Sequence, residues 1–246
     1  MVIEGITTWN LLAMVLAFIG AGLVRGFNGG AGANFITAPV LAILIGPQEG
    51  VPVITLLNLI SNVQVLPSAI PHTNWRKMLP ICLGATVTAP FGAWLLLVID
   101  QETMRRAVAV TSVVLALVLL AGWRYRGPRD GITRTGVGGI AGLITGSVSM
   151  GGPPVFLYLL SGTGNAYQQR ANFLTFSFFV QSAALVSFLI GGLLTDRTLI
   201  ICSLLCIPFF LATWAGIRLF SRASDAQFRN YTLWGIATLS FVIALF

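Results

Sequence analysis

The chain has 246 residues, 56% of them hydrophobic and 9% charged, with a net charge of +7. Soluble domains carry about 25% charged residues, so this composition excludes an ordinary soluble enzyme. The fourteen basic residues are scattered over loops and segment ends, which excludes a nucleic-acid-binding surface and matches membrane orientation instead. Apolar runs are continuous rather than alternating, which argues against a β-barrel and for a multi-pass helical bundle.

The first predicted segment, residues 8–25, contains LLAMVLAFIGAGLV and closes on Arg25. No basic leading region or small-residue cleavage site accompanies it, so a cleavable signal peptide is not expected. The stretch GFNGGAGANF follows at 26–35, and the second segment, 33–46, is short. Fourteen helical residues rise only about 21 Å, against a hydrocarbon core of about 30 Å. The first two segments therefore read as a hairpin with a glycine-rich tip inside the membrane. Segments at 50–71, 76–99 and 103–122 complete the first half. The polar run RYRGPRDGITR, 124–134, separates it from segments at 135–149, 153–163, 168–194, 196–219 and 227–246. The short pair at 135–149 and 153–163 forms a second hairpin, with SVSMGGPP at its tip.

The halves match at an offset of 120: AGLVRGFNGGAG at 21–32 lies over AGLITGSVSMGG at 141–152, and Cys82 and Trp94 lie over Cys202 and Trp214. A small shift pairs Gln64 with Gln181. Five segments per half place the second half in the opposite orientation. The expected fold is an all-α multi-pass membrane protein of two inverted repeats, 1–122 and 135–246, joined by a cytoplasmic linker at 123–134. One face would receive His72, Arg76, Lys77, Arg124, Arg126, Arg129, Arg134, Arg170, Arg218, Arg222 and Arg229. The other would receive Arg105, Arg106 and Arg197. Positive loops face the cytoplasm, which puts both termini outside a bacterial inner membrane.

Inverted repeats with broken helices are typical of secondary transporters, which bind near the midplane. A helix starting inside the membrane offers backbone N–H groups without intrahelical partners and a partial positive charge, a natural anion site. The first tip supplies Asn28, Gly29, Gly30, Gly32 and Asn34; the second supplies Ser147, Ser149, Gly151 and Gly152, followed by two prolines suited to a first helical turn. The competing reading of these glycines is close helix packing. All seven acids fall in loops or at segment ends, so a carboxylate proton relay or cation site is not expected. Arg25 and Arg170 could neutralise an anion or could snorkel at helix ends. Thr55, Asn58 and Asn62 share a helical face with Gln64 nearby, and Asn172, Thr175 and Gln181 lie in the eighth segment. These polar groups line a substrate path or form interhelical hydrogen bonds. Cys82, Cys202 and Cys206 read as small apolar packers and His72 as a solvated loop residue. No metal or cofactor is expected.

GFNGGAGANFITAPVL, its second copy GSVSMGGPPVFLYLL, HTNWRKMLPICLGATVTAPFGAWLL and QQRANFLTF together resemble the sulfite exporter TauE/SafE (TSUP) family over essentially the whole chain. The first motif departs from the commoner three-glycine run, because Ala31 interrupts it. The resemblance implies transport of sulfite, thiosulfate, sulfoacetate or other organosulfonates. The expected partners are such an anion and the lipid bilayer; a homodimer is compatible with this reading. An anion channel on the same scaffold is the main alternative. A membrane enzyme lacks any His/Asp/Glu/Cys constellation in the spans, and an assembly factor leaves the in-membrane polar residues without a use.

Overall fold

The computed structural model describes residues 7–28, 30, 32–121, 125–162 and 165–221. They form helices α1 (Thr8–Asn28), α2 (Asn34–Leu44), α3 (Pro47–Ala69), α4 (Trp75–Val98), α5 (Gln101–Leu120), α6 (Gly131–Val148), α7 (Gly152–Leu160), α8 (Ala166–Ile190) and α9 (Asp196–Ser221), with a 3₁₀ turn at Ile70–His72 and no strand among the described residues. Among the described residues, five stretches are long and apolar enough to cross a bilayer: Thr8–Phe27, Pro47–His72, Trp75–Val98, Tyr167–Ile190 and Asp196–Leu219. The predicted tenth segment lies outside the described residues.

Polar side chains set several helix starts. Asn74 Oδ1 accepts from Lys77 N, Asp130 Oδ1 from Thr133 N and Asn165 Oδ1 from Gln168 N. The Asp130 cap starts α6 at Gly131, four residues before the predicted 135; the aspartate before a helix start was the signal. The first helix likewise runs past 25 to Asn28, carrying Arg25 inside it.

Two seams of small residues organise the bundle. In a membrane no hydrophobic force drives helices together, so close backbone approach and van der Waals contact must do it. The most extensive packing joins α4 to α6, and the next joins α1 to α9. On α6 a methyl at Gly138, Gly142 or Gly146 would run into the carbonyl of Ile81, Ala85 or Ala89 of α4. On α1, Gly22 lies against Phe209 O and Gly26 against Thr213 O of α9. Gly22, Gly26, Gly142 and Gly146 all belong to the matched motifs, so the packing reading holds for this part of them. Between the seams α3 packs on α8, with α4 also against α8 and α9 against α3.

The outward faces are apolar. Leu79, Leu83, Val87, Phe91, Trp94 and Val98 form an exposed stripe along α4, and Ile207, Leu211 and Trp214 one on α9. A soluble protein rarely shows such surfaces; lipid covers them in a multi-pass membrane protein.

Charges separate to the two ends. At one, Arg197 pairs with Glu49 at 3.4 Å and Arg105 Nε donates to Ala42 O at 3.0 Å. At the other, Lys77, Arg129 and Arg134 gather around Tyr158 and Ser161. The described acids Glu49, Asp100, Glu102, Asp130 and Asp196 all sit at or beside helix starts.

Candidate functional site

α2 and α7 are too short to span alone. Their eleven and nine residues rise about 16 and 14 Å at 1.5 Å each. Each begins where a longer helix has just stopped. α1 ends at Asn28, and the chain turns through Gly30, whose φ of +101° suits glycine. A methyl on Gly30 would also lie 2.7 Å from Arg25 Nη1. α6 ends on Ser149, which takes the left-handed conformation at φ +59° with its amide on Thr145 O at 2.9 Å. Such a conformation is uncommon for serine and leaves its carbonyl and hydroxyl turned away from the helix. Neither α2 nor α7 has a side-chain cap at its start.

The two tips touch. Asn34 Nδ2, in the first turn of α2, donates to Ser149 O. Asn34 Oδ1 accepts from Asn58 Nδ2 at 3.0 Å, and the Ser149 hydroxyl pairs with Thr55 Oγ1 at 3.1 Å. One face of α3 thus holds both tips.

Arg25 lies behind Gly30 and is 3% exposed. Its Nη2 donates to Asn58 O at 2.8 Å and to Asn62 Oδ1 at 2.7 Å; Asn62 Nδ2 then donates to Gln181 Oε1 at 3.0 Å. The chain Arg25–Asn62–Gln181 ties α1 to α3 and α8. Arg25 Nε is buried without a hydrogen-bond partner, and the ion pairs among the described residues involve only Arg105, Arg106 and Arg197. A buried cation without a counter-charge is costly, by several kcal/mol after relaxation.

Gly30, Asn34, Ser149, Gly152, Ser177 and Gln181 supply the polar wall of a cavity between the tips; Phe35, Met150, Phe173, Phe176 and Val180 supply the apolar wall. Its volume is about 20 Å³, room for roughly one water. A larger guest must part the Asn34–Ser149 contact.

The sequence-predicted residues divide by position. Arg25, Gly30, Asn34, Asn58, Asn62, Ser149, Gly152 and Gln181 stand in the cavity wall or the network beside it. Gly32 lies in the turn before α2, where its carbonyl accepts from Phe35 N at 3.2 Å. Gly151 sits against Ala141 O of α6, where a methyl would not fit. Ser147 is turned back on its own helix, donating to Leu143 O at 2.9 Å. Gln64 is half-buried, its Oε1 without a hydrogen-bond partner, and stands off the cavity. Asn172 Oδ1 accepts from Asn74 N at 2.8 Å and Thr175 Oγ1 meets Thr73 Oγ1 at 2.7 Å, so both face the turn before α4. Arg170 Nη2 donates to Gly26 O at 2.8 Å. Gly29 and the Asn28 side chain lie outside the described residues.

Sequence reasoning missed Phe173, Phe176, Ser177 and Val180. Together with Gln181 they fall three and four apart, one helical stripe; extending that stripe from Gln181 would have found Ser177 and set aside Asn172 and Thr175.

The model of the family described as Sulfite exporter TauE/SafE matches residues 14–243. The chain belongs to the TauE/SafE family. No curated protein and no solved structure gives a significant match. TauE/SafE membership makes the chain a member of a family of membrane anion transporters.

Proposed function

We propose that the chain is a secondary transporter that carries small sulfur-containing anions, such as sulfite, thiosulfate, sulfoacetate or other organosulfonates, across the bacterial cytoplasmic membrane. One observation carries this reading. Arg25 is buried with no carboxylate partner among the described residues, behind a cavity bounded by two helix starts without side-chain caps. A bound oxyanion would supply the missing counter-charge, accept from Arg25 and the Asn34 amide, and face the positive ends of α2 and α7. The aromatic wall suits the organic part of a sulfonate.

The mechanism is alternating access between two inverted repeats. The matching seams support it: Gly22 and Gly26 of α1 meet α9 with the same four-residue step with which Gly142 and Gly146 of α6 meet α4. The arginine-rich end with Arg129 and Arg134 faces the cytoplasm and the termini face outward. The Asn34–Ser149 contact and the small cavity favour a carrier over an anion channel, because a continuous path requires the tips to separate.

The test is flux in proteoliposomes. A carrier gives saturable sulfite uptake and counterflow, in which internal unlabelled sulfite drives uptake of label. Unsaturated flux with single-channel currents would replace the carrier reading with a channel, and absence of anion flux would overturn both.

A further inference from the structure

The two ends of the bundle differ at positions that the repeat makes equivalent. At the end with few cations, Glu49 of α3 pairs with Arg197 of α9. The offset of 120 that aligns the glycine motifs carries Glu49 onto Gln169 of α8 and Arg197 onto Lys77 of α4. Gln169 and Lys77 again come together, lining one depression at the arginine-rich end. The cation is kept there and the carboxylate has become an amide, which cannot neutralise it.

Two more cations enter the same depression. Arg129 lies with its Cζ 4.8 Å from the centre of the Tyr158 ring and donates to Tyr158 O at 3.4 Å, which fixes its head group. Arg134 of α6 lines it too, with its Nε buried and lacking a hydrogen-bond partner. Among the described residues no acid lines the depression. Asp130, the neighbour of Arg129 in sequence, is turned to cap α6 through Thr133 N at 2.8 Å; it makes no ion pair with Arg134 and offsets that cation only through a minor, longer-range charge interaction. The volume is about 150 Å³, against about 20 Å³ for the cavity between the tips.

We propose that this depression is a second anion site, a loading vestibule in which Lys77, Arg129 and Arg134 hold a small oxyanion before it reaches the tips. The inference rests on the transport reading above and extends it to a site off the central network. The side chains are half-buried and solvated, so binding here is weak and screened by salt, unlike binding at Arg25. A lipid phosphate offers the same chemistry as the transported oxyanion, and the vestibule is assigned to the latter.

The test is calorimetric titration of sulfite into the full-length chain in neutral detergent, using wild type and Arg25→Gln. Wild type should bind two sulfites and Arg25→Gln one, the remaining one weakened by raising salt. Gln169→Glu rebuilds the ion pair of the opposite end and should weaken that remaining binding by about fivefold, as should Lys77→Gln; Lys77→Arg should retain it. In the wild-type background Gln169→Glu should reduce only the weaker of two sites, so the result does not depend on how well Arg25→Gln folds. A single wild-type sulfite that Arg25→Gln abolishes would overturn the vestibule and leave the transport reading standing. Sulfite binding at the depression in a protein with no anion flux would overturn the transport reading and, with it, the loading role. Displacement of the weak sulfite by anionic phospholipid at equal concentration would identify a lipid site and overturn the proposal.

Discussion

Replacing Arg25 by glutamine separates a binding arginine from a structural one. Arg25 Nη2 makes two hydrogen bonds, to Asn58 O at 2.8 Å and Asn62 Oδ1 at 2.7 Å. Losing both costs about 1.5–3 kcal/mol each, since the donor is charged. The substitution also removes a buried charge that no acid among the described residues compensates, which relieves several kcal/mol. The two terms oppose each other at similar size, so the empty variant should stay within about 2 kcal/mol of wild type. Anion binding has no such offset. Removing one partner of a buried, hydrogen-bonded charge pair costs about 2–5 kcal/mol, or about 30- to several-thousand-fold in affinity at 1.4 kcal/mol per decade. The assay is thermal unfolding with and without sulfite. Wild type at a hundredfold excess over Kd gains about 2.7 kcal/mol; Arg25→Gln at that concentration should gain at most a small fraction of it. Arg25→Lys keeps the charge without the planar fork and should fall between them. An undiminished sulfite shift in Arg25→Gln would refute the reasoning.

Other outcomes follow from the same contacts. Asn34→Leu removes the bonds to Ser149 O and Asn58 Nδ2; transport should be lost, with about 1–3 kcal/mol of destabilisation in denaturant titrations. Gly146→Leu drives a side chain into Ala89 O across the α4–α6 seam and should leave little folded protein by size-exclusion chromatography. Gly136→Ala meets nothing within 4 Å and should stabilise by up to about 1 kcal/mol. Ser147→Ala should leave sulfite flux unchanged, because the hydroxyl is spent on Leu143 O. The Asp100 carboxyl is held below its usual pKa by the Thr103 amide, and that of Asp130 by the hydroxyl and amide of Thr133. Depressed folded values mean that these caps stabilise above the unfolded pKa of about 4 and fail as pH falls further. Melting temperature should therefore drop on acidification below that point, and Asp130→Asn should flatten the drop.

The break in each hairpin was legible in the sequence because it is local: glycines, a proline pair and segments too short to span announce it. Asn58 and Asn62 were legible for the same reason, as polar groups on one face of an apolar helix. What escaped depends on rotation and partnership. Asn172 and Thr175 look like Gln181 in the sequence, yet a different face of α8 carries them to Asn74 and Thr73. Ser147 sits two residues from Ser149, but a helical hydroxyl can satisfy itself on the preceding turn, and only the residue at the left-handed stop turns outward. The glycine motif mixes two jobs that composition cannot separate. Gly26 and Gly146 bring helices together, whereas Gly30 lets the chain turn over Arg25. The α1–α9 and α4–α6 pairings join residues far apart in the chain and leave no local mark.

The central claim is that an oxyanion sits between the starts of α2 and α7 against Arg25. Selenite mimics sulfite and scatters anomalously, so diffraction at the selenium edge from crystals of the protein with selenite tests it most directly. The account predicts a peak between Asn34 and Gly152, within hydrogen-bonding reach of the Arg25 guanidinium and with the Asn34–Ser149 contact opened. Well-ordered tips with no peak between them, at selenite concentrations that saturate binding in solution, would contradict it.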